Sequence, residues 1–149
     1  MSNLKDFEDL TKMLMRHEGV ESHVYQCSAG KETIGVGRNI SSNGGIGLSE
    51  DEIVFLLVND IKRCKEELKN NFDWFEDLNT ARQHAMIDIV FNLGITRLLK
   101  FKKALAFMAE EDYFNASEEF LDSRWATQVG HRAEELAEMI HTGEYISCH

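Results

Sequence analysis

Three side chains near the start of the chain have the types and spacing that acid–base and nucleophilic chemistry requires. Glu18 can donate a proton, and Cys27 can act as a base or as a nucleophile once it is ionised. The hydroxyl of Thr33 can donate and accept a hydrogen bond at the same time. A helix-like stretch precedes the acid, and a glycine-punctuated run surrounds the hydroxyl. This order can place the acid across a cleft from the other two groups.

The stretch that must position Glu18 carries apolar residues at nearly helical spacing. We predict a helix over residues 4–17, with Asn3 as its N-cap and Gly19 as its end. Glu18 then lies at the C-terminal edge of the helix, where the helix dipole disfavours a negative charge. Such a position suits an acid that has to keep its proton. The apolar residues are Leu4, Phe7, Leu10, Leu14 and Met15.

The segment after Gly19 changes pattern twice. Residues 24–40 alternate weakly and are interrupted by glycines, which favours short antiparallel strands with tight turns. Ser49 and Glu52 then form a capping box that opens a long helix. The apolar positions predicted for the core side of this helix are Ile53, Leu56, Leu57, Ile61 and Cys64.

The second half of the chain has a helical pattern throughout. We predict helices over 80–93 and 101–108, a helix that Asp112 caps and that runs to about Ser123, and a helix that follows Gly130 and runs to His141. The fold class is therefore α+β and mostly helical. The chain is predicted to be one domain, 1–149, with a small β-containing N-terminal lobe at about 19–48, a linking helix at 49–71, and a larger helical lobe formed by 72–149 together with 1–18.

Composition excludes several classes of function. The net charge of −10 argues against nucleic acid as a partner, because phosphate binding needs a basic face. No apolar run reaches the roughly 20 residues of a bilayer span, and the first residues lack the features of a signal peptide. We therefore expect no stable membrane insertion and no export signal. The cysteines Cys27, Cys64 and Cys148 are scattered, which favours free thiols, and we expect neither a metal nor a cofactor.

Motifs in three separate parts of the chain resemble one known family. The first group is Glu18-Gly19, Tyr25, Gly30 and Thr33-Ile34-Gly35-Val36-Gly37. A central group holds Val90-Phe91, Gly94 and Phe101, and a late group holds Ser123-Arg124-Trp125, Gln128, Arg132-Ala133 and Thr142-Gly143. In order and spacing the chain resembles the phage-type lysozymes, the T-even-like muramidases with which bacteriophages cut peptidoglycan. The resemblance extends from about Leu10 to Tyr145.

The resemblance implies a lysozyme-like fold and a role for each matching residue. Glu18 would be the general acid that protonates the glycosidic oxygen between N-acetylmuramic acid and N-acetylglucosamine. Thr33 would hydrogen-bond the attacking water, and Arg132 would pair with Glu18. Phe91 matches an aromatic residue of the cleft wall. The plainer alternatives are a packing role for Thr33, an ordinary ion pair with a helix acid for Arg132, and a core position for Phe91.

Cys27 departs from the family, which carries an aspartate at this position. Three interpretations compete: Cys27 serves as base or nucleophile with Thr33 still holding the water, Glu21 or Glu32 supplies the carboxylate, or the chain is a weakened enzyme that mainly binds glycan. We favour the first, because the position and the spacing are kept. A buried filler role for the thiol is a further alternative, since free cysteine is among the most buried residue types.

The predicted function is that of an endolysin that hydrolyses the β-1,4 bonds of peptidoglycan in host lysis, and hence an antimicrobial, bacteriolytic glycoside hydrolase. Its partner would be the glycan strand. By resemblance we expect a monomer that stays in the host cytoplasm until a holin-like membrane protein lets it reach the wall. Alternatives are a non-catalytic wall-binding module, lytic transglycosylase chemistry, or a structural helical protein. One basic cluster on this acidic chain is either a solvated helix end or a wall-contacting patch: Arg97, Lys100, Lys102 and Lys103.

Overall fold

The computed structural model describes residues 4–19, 33–34, 38–39 and 44–146, with side chains over 7–19 and 44–146. This part of the chain is mostly helical, as predicted, and a 3-10 turn at Phe75–Asp77 precedes the third helix. The helices are α1 Leu4–Glu18, α2 Glu50–Asn71, α3 Thr80–Leu93, α4 Ile95–Leu98, α5 Lys102–Ala109, α6 Tyr113–Leu121, α7 Arg124–Val129 and α8 His131–Thr142.

Strand structure within the described residues is limited to one antiparallel pair. The strand β1, Thr33–Ile34, pairs with β2, Arg38–Asn39, so that Thr33 lies opposite Asn39. These four residues do not make up the β-containing lobe predicted for 19–48, most of which lies outside the described residues.

The chain divides into two compact units. The larger consists of Met1–Leu10 with Ile61–His149, and the smaller consists of Thr11–Asp60. The helices α1 and α2 each contribute residues to both units. The division into a β-containing lobe, a linking helix and a helical lobe stays a prediction.

The core of the larger unit is built around α3. Every residue from His84 to Val90 is buried, so this helix is enclosed on all sides and packs against α8. The helix α6 packs against both α5 and α8. Each fully buried large apolar side chain contributes roughly 1.5–3 kcal/mol to folding. Those with almost no exposure include Leu68, Phe75, Met86, Leu98, Met108, Phe120, Leu136 and Ile140.

Helix boundaries follow local hydrogen-bonding chemistry. The predicted capping box is confirmed: the Ser49 amide donates to Glu52 Oε1 at 2.9 Å, and the Glu52 amide donates to Ser49 Oγ at 3.2 Å. Asn79 accepts a hydrogen bond from the Arg82 amide and so caps α3. Gly143 ends α8 in the left-handed conformation, with φ +73°.

Side chains at the start of α3 also hold the end of α8. Arg82 Nε donates to the Ile140 carbonyl at 2.7 Å, and its Nη2 donates to the His141 carbonyl at 2.9 Å. Asn79 Nδ2 donates to the Gly143 carbonyl at 2.9 Å. The carbonyls that a helix end normally leaves to water are here bonded to the neighbouring helix.

Some of the predictions were wrong in detail. The short helices α4 and α7 were not predicted. The helix α6 follows the predicted cap Asp112 and ends at Leu121, close to the predicted end at about Ser123. Leu56, predicted for the core side of α2, is 39% exposed, whereas Ile61 and Cys64 of the same helix are buried.

None of the helices in the described ranges combines the length and apolar character that a bilayer crossing needs.

Candidate active site

Glu18 is the last residue of α1, as the sequence predicted. Gly19 follows with φ +79°, and its amide closes the helix on the Met15 carbonyl at 2.9 Å. A positive φ is easy for glycine and costly for other residues, so Gly19 fixes where the helix stops. Met13 and Leu14 are buried while Glu18 is exposed. The carboxyl group of Glu18 is therefore at a solvent-facing helix end.

The two residues predicted to act together with Glu18 are only partly described or not described at all. Thr33 belongs to β1, where its backbone lies opposite Asn39, but its side chain is outside the description. Cys27 lies outside the described residues, as do the alternative carboxylates Glu21 and Glu32. The joint role of Glu18, Cys27 and Thr33 stays a prediction.

Three side chains on one face of α3 in the larger unit are relevant to the site. Phe91 and Asn92 follow Asp88 by three and four residues, so all three share this face. Asp88 is fully buried, Phe91 is half-buried and Asn92 is exposed. The partial exposure of Phe91 means that its ring is not wholly part of the core.

Arg132 of α8 is bonded to Asp88. Its Nε donates to Asp88 Oδ1 at 2.8 Å, and the two side chains are 10% and 0% exposed. Removing a carboxylate from water costs several kcal/mol, and the attraction of a well-placed guanidinium offsets part of this cost. Glu18 belongs to the other compact unit, and its pairing with Arg132 stays a prediction.

Trp125 of α7 is tied to the same face of α3. Its Nε1 donates to Asn92 Oδ1 at 2.7 Å, and the residue is 3% exposed. The rings of Phe101 and Phe120 surround it, with centroids 6.4 and 6.5 Å away. The side chain of Trp125 is therefore part of the core of the larger unit.

Comparison with known proteins assigns the chain to a family. The family model for phage lysozymes, "Phage lysozyme", matches residues 15–139. The chain belongs to the phage lysozyme family. The match includes Glu18 of the smaller unit and Phe91 and Arg132 of the larger unit.

Relatives of this chain are found in Dictyostelium discoideum and in phages. It is 27% identical to "Probable T4-type lysozyme 2" of Dictyostelium discoideum, with 96% of each chain covered. It is 27% identical to the "Pre-baseplate central spike protein Gp5" of Enterobacteria phage T4, over 90% of this chain and 28% of that protein. It is 28% identical to an "Endolysin" of Acyrthosiphon pisum secondary endosymbiont phage 1, over 76% of this chain and 75% of the relative.

The basic cluster predicted from the sequence lines an open groove of about 550 Å³ in the larger unit. Four of its cations follow one another at the end of α4 and the start of α5, and Arg124 of α7 adds a fifth. Glu119 and Asp122 also line the groove. The groove therefore combines five cationic side chains with two carboxylates. Both earlier interpretations of the cluster, solvated helix end and wall-contacting patch, remain open.

Sequence reasoning missed Asp88. A signal was present, because Asp88 is the single acid within the apolar run 85–91 and lies three residues before Phe91. A charge in the middle of a buried helix has to be paired, and so implies a cation on a neighbouring element. The partner is 44 residues away in sequence, where only the packing of α3 against α8 identifies it.

Proposed function

We propose that this chain is a muramidase that hydrolyses the β-1,4 bond between N-acetylmuramic acid and N-acetylglucosamine in bacterial peptidoglycan. The observation that carries the proposal is the placement of Glu18, an exposed carboxyl at the end of α1 within the segment that matches the phage lysozyme family. The names of the relatives from Dictyostelium discoideum and from phages support lysozyme or endolysin activity.

In this proposal Glu18 protonates the glycosidic oxygen as the bond to the anomeric carbon breaks. The sugar then carries positive charge, which a nearby anion stabilises. A thiolate at Cys27 supplies that anion and acts as base toward water or as nucleophile, and the Thr33 hydroxyl holds the water. Attack by the Cys27 thiolate on the anomeric carbon expels the protonated leaving group and forms a covalent glycosyl–sulfur intermediate; water then displaces the sulfur, and the two inversions give net retention. Direct attack by a base-activated water gives inversion. Arg132 pairs with Glu18, and Phe91 contributes to the wall of the glycan-binding cleft.

The remaining predictions belong to the same proposal. Residues 19–48 form a β-containing lobe, 49–71 the linking helix, and 72–149 with 1–18 the helical lobe of one domain. The protein acts as a monomer, without metal or cofactor, in lysis of a host cell. It reaches the wall from the host cytoplasm when a holin-like protein opens the membrane.

The test is cleavage of purified sacculi and turbidity loss of permeabilised Gram-negative cells by the wild type and by Glu18→Gln. We expect soluble glycan fragments from the wild type and a loss of activity of at least roughly 100-fold in the variant, the usual lower range for removing an acid catalyst. Glu8→Gln is the matched control, because Glu8 is exposed on the same helix. Equal activity of wild type and Glu18→Gln would reject the role of Glu18.

Cys27 in place of a carboxylate favours a second candidate, a protein that binds peptidoglycan and cuts it poorly. Co-sedimentation with sacculi without release of soluble fragments would support this candidate over the muramidase. Product analysis separates the third possibility: new reducing ends indicate hydrolysis, and anhydro-muramic ends indicate lytic transglycosylase chemistry.

A further inference from the structure

The groove of the larger unit gathers positive charge on an acidic protein. Five of the 16 Lys and Arg side chains line it, although the chain carries 26 acids. All five are exposed. With Glu119 and Asp122 counted against them, the groove keeps an excess of three positive charges. The cations are Arg97, Lys100, Lys102, Lys103 and Arg124.

These five cations are unpaired within the part of the chain that the structure describes. Their side chains form no ion pair and no hydrogen bond with a described residue, and neither do the carboxylates of Glu119 and Asp122. Arg132, in contrast, is paired with Asp88. Like charges around one groove repel each other, and a bound anion relieves that repulsion. The groove is therefore suited to an anionic ligand.

The aromatic side chains of the groove are already engaged with the protein. Trp125 is 3% exposed, and its indole N–H is bonded to Asn92. Phe101 is half-buried, and its ring packs against those of Trp125 and Phe120. A ligand that stacks flat rings, such as single-stranded nucleic acid, needs an exposed aromatic face. The groove selects its ligand by charge and not by stacking.

An exposed leucine accompanies the cations. Leu99 is 41% exposed at the end of α4, directly before Lys100 and two residues after Arg97. Cations beside an exposed apolar side chain are typical of surfaces that bind anionic membranes, because the cations meet lipid phosphates while the apolar group enters the acyl boundary. A soluble phosphate gains nothing from the leucine. The combination therefore favours a lipid surface.

The overall charge of −10 does not oppose such binding. At physiological salt, charges farther than about 8 Å from the lipid phosphates are largely screened. Each Lys or Arg near an anionic bilayer strengthens binding by roughly fivefold. The charge of the groove therefore outweighs the charge of acids elsewhere on the protein.

We propose that this groove is a peripheral docking site for anionic phospholipids, which binds their headgroup phosphates while Leu99 contacts the acyl boundary. Binding is reversible and salt-dependent, and it requires no helix that crosses the bilayer. The inference goes beyond the muramidase proposal and does not depend on it, since no residue of this surface is assigned to the reaction.

The experiment is co-sedimentation of the full chain with vesicles of phosphatidylcholine and phosphatidylglycerol in equal parts, and with vesicles of pure phosphatidylcholine. We expect binding to the anionic vesicles only, and weaker binding at high salt. Lys102→Gln/Lys103→Gln should lower the partition coefficient by at least roughly tenfold. Equal binding to both kinds of vesicle, or binding to neither, would overturn the inference.

Lys62→Gln/Lys69→Gln is the matched control, because it changes the net charge by the same amount at positions of α2 outside the groove. It should change the partition coefficient by less than about twofold. An equal loss in the two double variants would show that only net charge matters and would reject the groove. Urea denaturation checks that each variant is folded.

Two further measurements separate the lipid surface from other anions. Leu99→Ser keeps every cation and should still weaken binding to anionic vesicles by at least about twofold, since less apolar surface enters the acyl boundary. Inorganic phosphate at the same concentration as the lipid phosphate should displace little protein. Complete displacement would assign the groove to a soluble phosphate and overturn the inference.

Purified sacculi test the wall as the alternative partner. Binding to sacculi in preference to anionic vesicles, lost in Lys102→Gln/Lys103→Gln, would assign the groove to a wall polymer and overturn the lipid proposal. Vesicle binding involves no glycan cleavage. Absence of muramidase activity therefore leaves this test intact, and absence of vesicle binding leaves the muramidase proposal intact.

Discussion

The indole of Trp125 donates a 2.7 Å hydrogen bond to Asn92 Oδ1, which ties the six-residue helix α7 to the end of α3. Because Trp125 is buried, Asn92→Ala leaves its N–H without a protein partner and should lower the free energy of unfolding by about 1–3 kcal/mol. Urea denaturation measures the loss. Asn70→Ala, an exposed position on α2, should change stability by no more than about 0.5 kcal/mol. Equal effects of the two substitutions would show that the indole bond contributes nothing.

Gly143 should tolerate no side chain. A Cβ there would lie 2.7 Å from Asn79 Nδ2 and 2.9 Å from Arg82 Nη1, on a backbone with φ +73°. Gly143→Ala should therefore cost more than the roughly 1–2 kcal/mol of a left-handed backbone alone, because both capping side chains must move. Thermal unfolding measures the change. Gly44→Ala is the comparison, since Gly44 has φ +83° and no atom of the described residues lies within 4 Å of a Cβ placed there. A smaller loss at Gly143 than at Gly44 would contradict the prediction.

Tyr113 should make stability depend on pH in the alkaline range. Burial raises the pKa of its hydroxyl above the ordinary value of 10.0, and the acids Glu111 and Asp77 add to this while Arg82 opposes it. Since the pKa is higher in the folded state, the neutral form is favoured on folding. The associated stability is fully present below about pH 10 and is lost as pH rises through the folded-state value. Tyr113→Phe keeps the ring, which lies 3.7 Å from Arg82 Cζ, and removes the titration.

Unfolding free energies measured by urea at pH 9 and at pH 11 test this prediction. The wild type should lose more stability between the two values than Tyr113→Phe does. Identical losses in the two proteins would mean that the Tyr113 hydroxyl titrates alike in the folded and unfolded chain.

Substitutions at Cys27 test the unusual member of the proposed site. Cys27→Ala should abolish most of the lysis, because no anion then remains opposite the acid, and Cys27→Asp should retain it. An unperturbed thiol ionises near pH 8.5 and an aspartate near pH 4, so a limb of the activity profile should move toward acid pH in Cys27→Asp. Full activity in Cys27→Ala would show that the thiol only fills space in the protein. It would favour Glu21 or Glu32 as the anion that stabilises the charged sugar.

Elements with local chemical signals could be predicted from sequence. The capping box of Ser49 and Glu52 and the terminating glycines Gly94 and Gly143 each act within a few residues, so the sequence shows both partners at once. The helices α4 and α7 are too short, at four and six residues, to show a helical period. Leu56 follows the apolar period of α2 and is nevertheless 39% exposed, because periodicity defines a helix face but not what covers it.

In the candidate site, too, the features with a local sequence signal could be predicted, and the contacts between distant residues could not. Gly19 predicts that α1 ends at Glu18, and the structure confirms that end. Asp88 could not be matched with Arg132 beforehand, because a bond across 44 residues depends on how α3 and α8 pack. Motif similarity identified Arg132 without its observed partner. The chemistry of Cys27 depends on ionisation, which spacing in a sequence does not encode.

Helix ends usually fray, since their last carbonyls bond to water and open without disturbing the rest of the fold. The final turn of α8 is an exception, because Arg82 and Asn79 hold its carbonyls from the start of α3. We therefore expect the C-terminal turn of α8 and the N-terminal turn of α3 to open together. Amide hydrogens in the last turn of α8 should exchange with solvent together with those of the first turn of α3, as one cooperative unit that joins segments some sixty residues apart.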